Sequence, residues 1–237
     1  MAPQRNPTRT TFQARRYPVI RAIVDADADA AQTLSDKVGE QILMRIIRGE
    51  FPPGTPLNST ELAAALGVSR TPLAQALTRL AADGILIQPR KQPAIVSTAA
   101  EHWLQQTREM RRLIEPEAAV RASRRMAEDV LDDLWSLSRE AKPMAGEDWS
   151  PAAKYFDFAL HLSLAEFCGN QPMKIAIRKC LSYKRLTYAV AEPPESRLRR
   201  DYQEHVAILD AVTHGDAPLA RSSMATHLER TAKKHCI

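Results

Sequence analysis

Three histidines and one aspartate lie in strongly apolar segments of the second half of the chain. Asp157 and His161 are four residues apart, so a helix would carry both on one face. His205 and His227 belong to two later apolar segments. Imidazole nitrogens with one carboxylate are suitable ligands for divalent zinc, nickel, cobalt, manganese or iron. If three helices direct these four side chains into one core, they would form a metal site with open positions for water or a ligand oxygen.

Each of these residues also has an ordinary structural interpretation. An inward-facing histidine is commonly a hydrogen-bonded core residue. An aspartate and a histidine also occur by chance at helical spacing. The two interpretations differ in whether the helices bring all four side chains together.

The segment that contains these residues is predicted to be entirely helical. We expect helices near 100–124, 127–141, 151–168, 171–190, 195–213 and 217–234. Gly169-Asn170 and Gly215-Asp216 are predicted to end two of them. Six helices over about 140 residues are consistent with a bundle. We therefore assign residues 99–237 to one helical domain and predict a mainly α fold for the whole chain.

Residues 34–98 have the spacing of a helix-turn-helix followed by a wing. The apolar pattern predicts a helix over 36–49 capped by Ser35, a second from Ser59 or Thr60 to Leu66, and a third from Ser69 to about Ala82. Between the last two helices, Gly67 would take the left-handed turn conformation, Ala63 would allow close crossing, and Leu73 would pack one helix on the other. Two short apolar segments, 85–87 and 94–96, flank a basic connection and predict a two-stranded wing.

A helix-turn-helix of this kind is suited to DNA. The N-terminal residues of its second helix enter the major groove, where Arg70 matches the O6 and N7 acceptors of guanine. Hydroxyl side chains and the helix N-terminus suit phosphates, and basic wing residues suit the backbone or minor groove. Gln75 could read adenine or be a solvated helix residue. The predicted DNA contacts are Ser69, Arg70, Thr71, Gln75, Arg90 and Lys91. A winged helix used only for protein–protein contact is the alternative.

The charge distribution permits nucleic-acid binding without requiring it. Of the net charge of +5, residues 1–98 carry +4 and residues 99–237 carry +1. The first 24 residues contain five arginines and no acid. We predict that residues 1–33 form a poorly ordered basic arm, which either follows phosphates or is a solvated tail.

Composition excludes several other classes. No apolar run approaches the ~20 residues of a membrane span, so the chain is not expected to be an integral membrane protein. Three cysteines without a pairing pattern indicate a reducing compartment, and we predict a cytoplasmic location. Only eight glycines argue against a strand-rich fold.

Residues 38–96 resemble the winged-helix domain of the GntR family of bacterial transcription regulators. The matching segments are 46–50, 52–54, 61–63, Leu66-Gly67-Val68-Ser69-Arg70-Thr71-Pro72-Leu73 and 83–85. The resemblance implies a homodimer on a palindromic operator. The chain departs from the family in three places: Thr60 and Ala74-Gln75 stand where family arginine and Arg-Glu are usual, and Lys91-Gln92-Pro93 replaces the wing glycine. Two family DNA contacts are therefore absent, which would either weaken DNA binding or shift it toward Gln75, the wing and the arm.

Residues 108–232 resemble the FCD ligand-binding domain of FadR-type GntR regulators. The matching segments include Arg111-Arg112-Leu113-Ile114-Glu115, Asp157-Phe158-Ala159-Leu160-His161 and 204–211. In metal-containing members, the ligands are the aspartate and histidine of the second segment and two later histidines. The resemblance thus implies that Asp157, His161, His205 and His227 hold a divalent metal, with zinc, nickel or manganese preferred.

The same resemblance implies a small carboxylate effector, such as a sugar acid, hydroxy acid or dicarboxylate. The acid would bind the open positions of the metal, with arginine side chains pairing its other oxygens. Arg111 matches the family arginine. Arg178 is a second candidate, although its clustering with Lys174 and Lys179 favours a solvated basic face.

These observations predict a ligand-responsive transcriptional regulator, with a repressor relieved by its ligand as the commoner arrangement. Two other classes fit part of the sequence. The first is an enzyme, in which a metal ion held by three histidines and one aspartate activates water or oxygen, but no convincing nucleophile or general base accompanies the four residues. An architectural DNA-binding protein would use the metal only for structure.

Overall fold

The computed structural model describes residues 12–26 and 33–232, and within them the chain is mainly helical. The predicted fold class is confirmed. The helices are α1 (Pro18–Asp25), α2 (Leu34–Ile47), α3 (Ser59–Leu66), α4 (Arg70–Ala82), α5 (Trp103–Ala122), α6 (Glu128–Glu140), α7 (Ser150–Phe167), α8 (Gln171–Val190), α9 (Glu195–Thr213) and α10 (Ala217–Ala232). The strands are β1 (Pro56–Leu57), β2 (Leu86–Ile87) and β3 (Ala94–Val96). None of the helices in the described residues is long and apolar enough to cross a membrane.

The described residues divide into two compact units. The winged-helix unit runs to Arg111 and includes residues 179–192, and the bundle unit contains α1, 112–178 and the described chain from Pro193 onward. The predicted boundary lay at residue 98. The winged-helix unit gains residues from α8 because Tyr183 and Leu186 join the core formed by α2, α3 and α4.

Helix capping in the winged-helix unit differs from the expected pattern by one or two residues. Thr33, not Ser35, caps α2, and it forms a reciprocal capping box with Asp36. Asn58 caps α3 through its side-chain oxygen, where Ser59 or Thr60 was expected. Ser69 is the N-cap residue of α4, as predicted, but its side chain makes no capping hydrogen bond.

The turn between α3 and α4 has the predicted geometry. Gly67 has a φ of 66°, in the left-handed region that disfavours residues with a Cβ atom. Ala63 and Leu73 are both buried in the core of this unit. The small side chain and the left-handed turn therefore allow α4 to pack closely on α3, as a helix-turn-helix requires.

The wing forms at the predicted segments and gains a third strand. The antiparallel sheet has the order β1-β3-β2, with Leu57 paired with Ala94 and Leu86 paired with Val96. Lys91 in the wing connection has a φ of 62°, the only positive value among the described non-glycine residues. A lysine thus adopts the conformation for which the usual wing glycine is suited.

The six helices predicted for residues 99–237 are present as α5 to α10, with ends within a few residues of the expected positions. Pro151 lies in the first turn of α7, where a backbone N–H would have no acceptor within the helix. Proline lacks this N–H and therefore suits the position. Gly169 and Gly215 have φ values of 62° and 68° and end α7 and α9 in sequence order, as predicted. The core is continuous, and its largest fully buried side chains include Leu134, Phe156, Leu160 and Leu164.

The expectation of a poorly ordered arm over 1–33 was wrong for residues 18–25, which form α1. Ile20 is fully buried and joins the bundle core. The N-terminus of α1 is capped from another helix, because Asp133 Oδ2 accepts hydrogen bonds from the backbone N–H groups of Val19, at 3.0 Å, and Ile20, at 3.3 Å. The Tyr17 hydroxyl donates to Glu140 at 2.5 Å. The rest of the predicted arm, 1–11 and 27–32, lies outside the described residues.

Candidate metal centre

Three helices direct four polar side chains into the apolar bundle. Helix α7 carries Asp157 and His161 one turn apart, because residues at i and i+4 share a helix face. His205 lies on α9 and His227 on α10, two helices that pack against each other. All four residues are at most 4% exposed. Sequence reasoning proposed these four residues, and the structure brings them together.

The donor atoms converge on one small volume. His205 Nε2 lies 3.2 Å from His227 Nε2 and 3.3 Å from Asp157 Oδ1. His161 Nε2 lies 3.4 Å from the same Asp157 oxygen. One ligand atom from each of the four residues lies within 4.8 Å of all the others.

These separations fit the ligands of a single ion. With metal–ligand bonds of about 2.0–2.1 Å, neighbouring ligands of a tetrahedral ion are about 3.3 Å apart. Three imidazole nitrogens and one carboxylate oxygen match the preferences of zinc and related divalent ions. Burying polar side chains in an apolar interior costs free energy unless they are fully paired, and a bound ion would pair all four. The four residues therefore suit a divalent metal chemically and geometrically.

The outward-facing nitrogens of two rings also have carboxylate partners. Glu115 Oε2 lies 2.6 Å from His161 Nδ1, and Glu204 Oε2 lies 2.8 Å from His227 Nδ1. Both glutamates lie within segments that resemble the FCD family, but the sequence alone predicts no role for either. Glu115 lies 46 positions before His161 in the chain, so no local spacing in the sequence could pair them.

The two arginines predicted to bind an effector occupy different environments. Arg111 is 5% exposed and lies on α5, one turn before Glu115. Arg178 is also buried, so the alternative of a solvated basic face is wrong for this residue. Its Nη2 atom donates to the backbone oxygen of Ile23 at 2.9 Å and to Glu166 Oε2 at 3.2 Å.

Glu166 is therefore a charged partner for α8. Burial alone would raise its pKa, but hydrogen bonds from Lys174 and Arg178 outweigh this effect and hold the pKa below the ordinary glutamate value. Lys174 Nζ donates to Glu166 Oε1 at 2.5 Å. The carboxylate thus stays ionised and joins α7 to α8 and, through Arg178, to α1.

All six residues predicted to contact DNA are exposed. Three begin the recognition helix α4, one lies a turn later, and two lie in the wing connection: Ser69, Arg70, Thr71, Gln75, Arg90 and Lys91. Arg70 Nη2 donates a hydrogen bond to the Thr60 hydroxyl at 3.4 Å. Thr60, which stands where the family usually has an arginine, therefore contacts the guanidinium of Arg70. The exposed N-terminus of α4 is compatible with the major groove.

Comparison with known proteins gives two matches to family models. The FCD domain family matches residues 106–230, and the family described as bacterial regulatory proteins, gntR family, matches residues 34–96. The transcriptional repressor NanR of Klebsiella aerogenes is 28% identical over 227 residues, covering 84% of each chain. The transcriptional regulator LutR of Bacillus subtilis is 26% identical over 204 residues, covering 77% of this chain and 92% of LutR.

Two solved structures share the fold. The regulator Lar, which controls expression of the Listeria monocytogenes agr system, aligns with a TM-score of 0.56 at 20% identity, over 84% of this chain and 95% of Lar. McbR/YncC of E. coli aligns with a TM-score of 0.51 at 20% identity, over the same shares. At this identity the two alignments bear on the fold alone.

Proposed function

We propose that a metal-bound organic acid controls this protein. The chain belongs to the GntR family of bacterial regulatory proteins and carries an FCD domain. It is therefore a DNA-binding transcriptional regulator and not an enzyme. The observation that supports this proposal is the convergence of four buried donor atoms in the FCD domain. The proposed regulator acts in the cytoplasm, where its DNA target lies.

Asp157, His161, His205 and His227 would hold the ion, which we propose to be zinc, nickel or manganese. The metal would supply a Lewis-acid site for a carboxylate oxygen. The surrounding apolar core excludes water and so strengthens each charge interaction within the site.

The proposed effector is a small carboxylate that combines metal ligation with an arginine contact. Arg111 is the first guanidinium that we assign to it, because this residue is buried and lies on α5 one turn from Glu115. Arg178 is the second. It already bonds to Glu166 and would have to exchange that partner for the acid.

For the DNA-binding unit, we propose a homodimer that reads a palindromic operator with α4 and the wing. Arg70 would contact a base edge, and the neighbouring hydroxyl and basic side chains would contact phosphates. NanR is a transcriptional repressor, which favours repression as the action of this chain. By linkage, an acid that changes operator affinity must have its own affinity changed by DNA by the same factor.

The experiment is a titration of operator binding by the metal-loaded and chelator-treated protein, with a panel of sugar acids, hydroxy acids and dicarboxylates. We expect at least one acid to weaken operator binding about 5- to 150-fold, and only with metal present. His161→Ala should abolish that response while retaining DNA binding. Arg70→Ala should weaken operator binding with or without the acid.

Two outcomes would contradict the proposal. Operator binding that no acid or metal alters would favour an architectural protein with a structural metal. Consumption of a metal-bound acid by the wild type would favour the enzymatic alternative.

A further inference from the structure

Two carboxylates, the buried Glu115 and the partly buried Glu204, contact the candidate metal ligands on the ring nitrogens that point away from the cluster. Glu115 Oε2 lies 2.6 Å from His161 Nδ1, whose Nε2 lies 3.4 Å from Asp157. Glu204 Oε2 lies 2.8 Å from His227 Nδ1, whose Nε2 lies 3.2 Å from His205. Each imidazole therefore bridges a carboxylate and the cluster.

The bridging geometry determines which nitrogen carries the proton. A carboxylate is an acceptor only, so its ring partner must donate, and a neutral imidazole has a single N–H. With the proton on Nδ1, the Nε2 atom keeps the lone pair that a metal needs. We propose that Glu115 and Glu204 are positioning residues, which fix the tautomer and the ring orientation of His161 and His227 for metal binding. The metal arm of this inference rests on the proposed function.

The two glutamates are themselves held in place. Glu115 is 2% exposed and comes from α5, a helix that supplies no candidate ligand. Glu204 lies on α9 and accepts a hydrogen bond from Arg230 Nη1 on α10 at 3.0 Å. Arg200 Nε lies 3.9 Å from the same Glu204 oxygen. A carboxylate fixed from its other side restrains the imidazole that it contacts, whereas a mobile one would not.

The experiment measures zinc affinity by chelator competition in Glu115→Gln and Glu204→Gln. The amide keeps the shape of each side chain and removes its charge, so we expect each variant to bind zinc about 10- to 100-fold more weakly. The visible spectrum of the cobalt-loaded protein should also change, because the ring orientation is no longer fixed. Zinc binding equal to wild type in both variants would overturn the proposal.

Two glutamates on the same helices are the matched controls. Glu117 on α5 pairs with Arg121 and Arg221, and Glu195 on α9 pairs with Arg199. Glu117→Gln and Glu195→Gln change the same charge on the same helices without touching a candidate ligand, so they should bind zinc as the wild type does.

A second measurement needs neither a variant that folds nor a bound metal. Nitrogen NMR of the metal-free wild type, at about pH 8 where imidazole is ordinarily neutral, reports the tautomer of each ring. We expect His161 and His227 to carry the proton on Nδ1. Protonation on Nε2 in both rings would overturn the inference. If the wild type binds no zinc but has the expected tautomers, the proposed function fails and the positioning role of the glutamates stands.

Discussion

At the scale of single residues, the wing contains a lysine where the backbone favours glycine. Lys91 has a φ of 62°, and a side chain in this region costs roughly 1 kcal/mol. Replacing Lys91 by glycine should therefore raise the free energy of unfolding by about 0.5–1 kcal/mol, measured by urea denaturation. Arg90→Gly removes the same charge from the neighbouring position, where φ is not positive, and should not stabilise the protein. A loss of stability in Lys91→Gly would show that this conformation is not strained.

A second residue gives a pH-dependent prediction. Glu166 has a lowered pKa in the folded protein because Lys174 and Arg178 bond to its charged form. Its contribution to stability is therefore complete above the ordinary value of 4.5 and is lost as the pH falls through the lower, folded-state pKa. Glu166→Gln should lower the free energy of unfolding by on the order of 1 kcal/mol at pH 7, with the deficit shrinking in acid.

Denaturation of both proteins at several pH values measures this deficit. Glu229→Gln, an exposed change on α10, is the control and should have little effect at any pH. A deficit for Glu166→Gln that grew as the pH fell would contradict the assigned direction of the pKa shift.

The sequence predicted the individual ligands better than their supporting partners. Asp157 and His161 are connected by local spacing, and His205 and His227 stood out as polar residues in apolar helices. Glu115 and Glu204 have no such signature, because a charged residue on a helix is usually solvated and only tertiary packing reveals its partner. The burial of Arg178 was not predictable for the same reason, because its bonds to Ile23 and Glu166 join three separate helices.

At the scale of elements, α1 is the segment that sequence reasoning misassigned. Val19, Ile20, Ile23 and Val24 follow helical apolar spacing, which the prediction of a poorly ordered arm overlooked. Two features outside the segment order it: the cap from Asp133 on α6 and the apolar surface of the bundle. Neither could be seen from the sequence of α1 alone.

The docking of α1 leads to a stability prediction. Ile20 is fully buried, and its truncation to alanine should lower the free energy of unfolding by about 2–4 kcal/mol. Arg21→Ala alters an exposed neighbour on the same helix and should cost less than about 0.5 kcal/mol. Chemical denaturation measures both. Equal small effects would mean that α1 is not packed on the bundle in solution.

The helix-turn-helix and the bundle helices were predicted closely because their signals are local. Gly67 and Ala63 specify the turn, and glycines after α7 and α9 specify the stops. Capping was less predictable, because several neighbouring residues have side chains that can cap a helix: Thr33 and Ser35 before α2, and Asn58, Ser59 and Thr60 before α3. Which of them caps the helix depends on where its first turn packs. The third strand, β1, has only two residues, and its partner β3 begins only at Ala94, so no local spacing in the sequence could reveal the pairing.

At the scale of the whole molecule, a family fold joins a DNA-binding unit to a bundle whose core contains four metal-type ligands. The donor atoms of these four residues converge at separations that suit one ion, so we expect a divalent ion to bind there. Metal binding of this kind should also stabilise the folded chain, because the ligands are assembled only after folding.

The most direct test is the metal stoichiometry of the purified chain. After removal of metal with a chelator, the wild type should bind one zinc, nickel or manganese ion per chain in equilibrium dialysis followed by elemental analysis. The double variant His161→Ala, His227→Ala should bind none, whereas His214→Ala, which alters an exposed histidine, should bind as the wild type does. A wild type that binds no ion, or a double variant that binds as tightly as the wild type, would contradict the account.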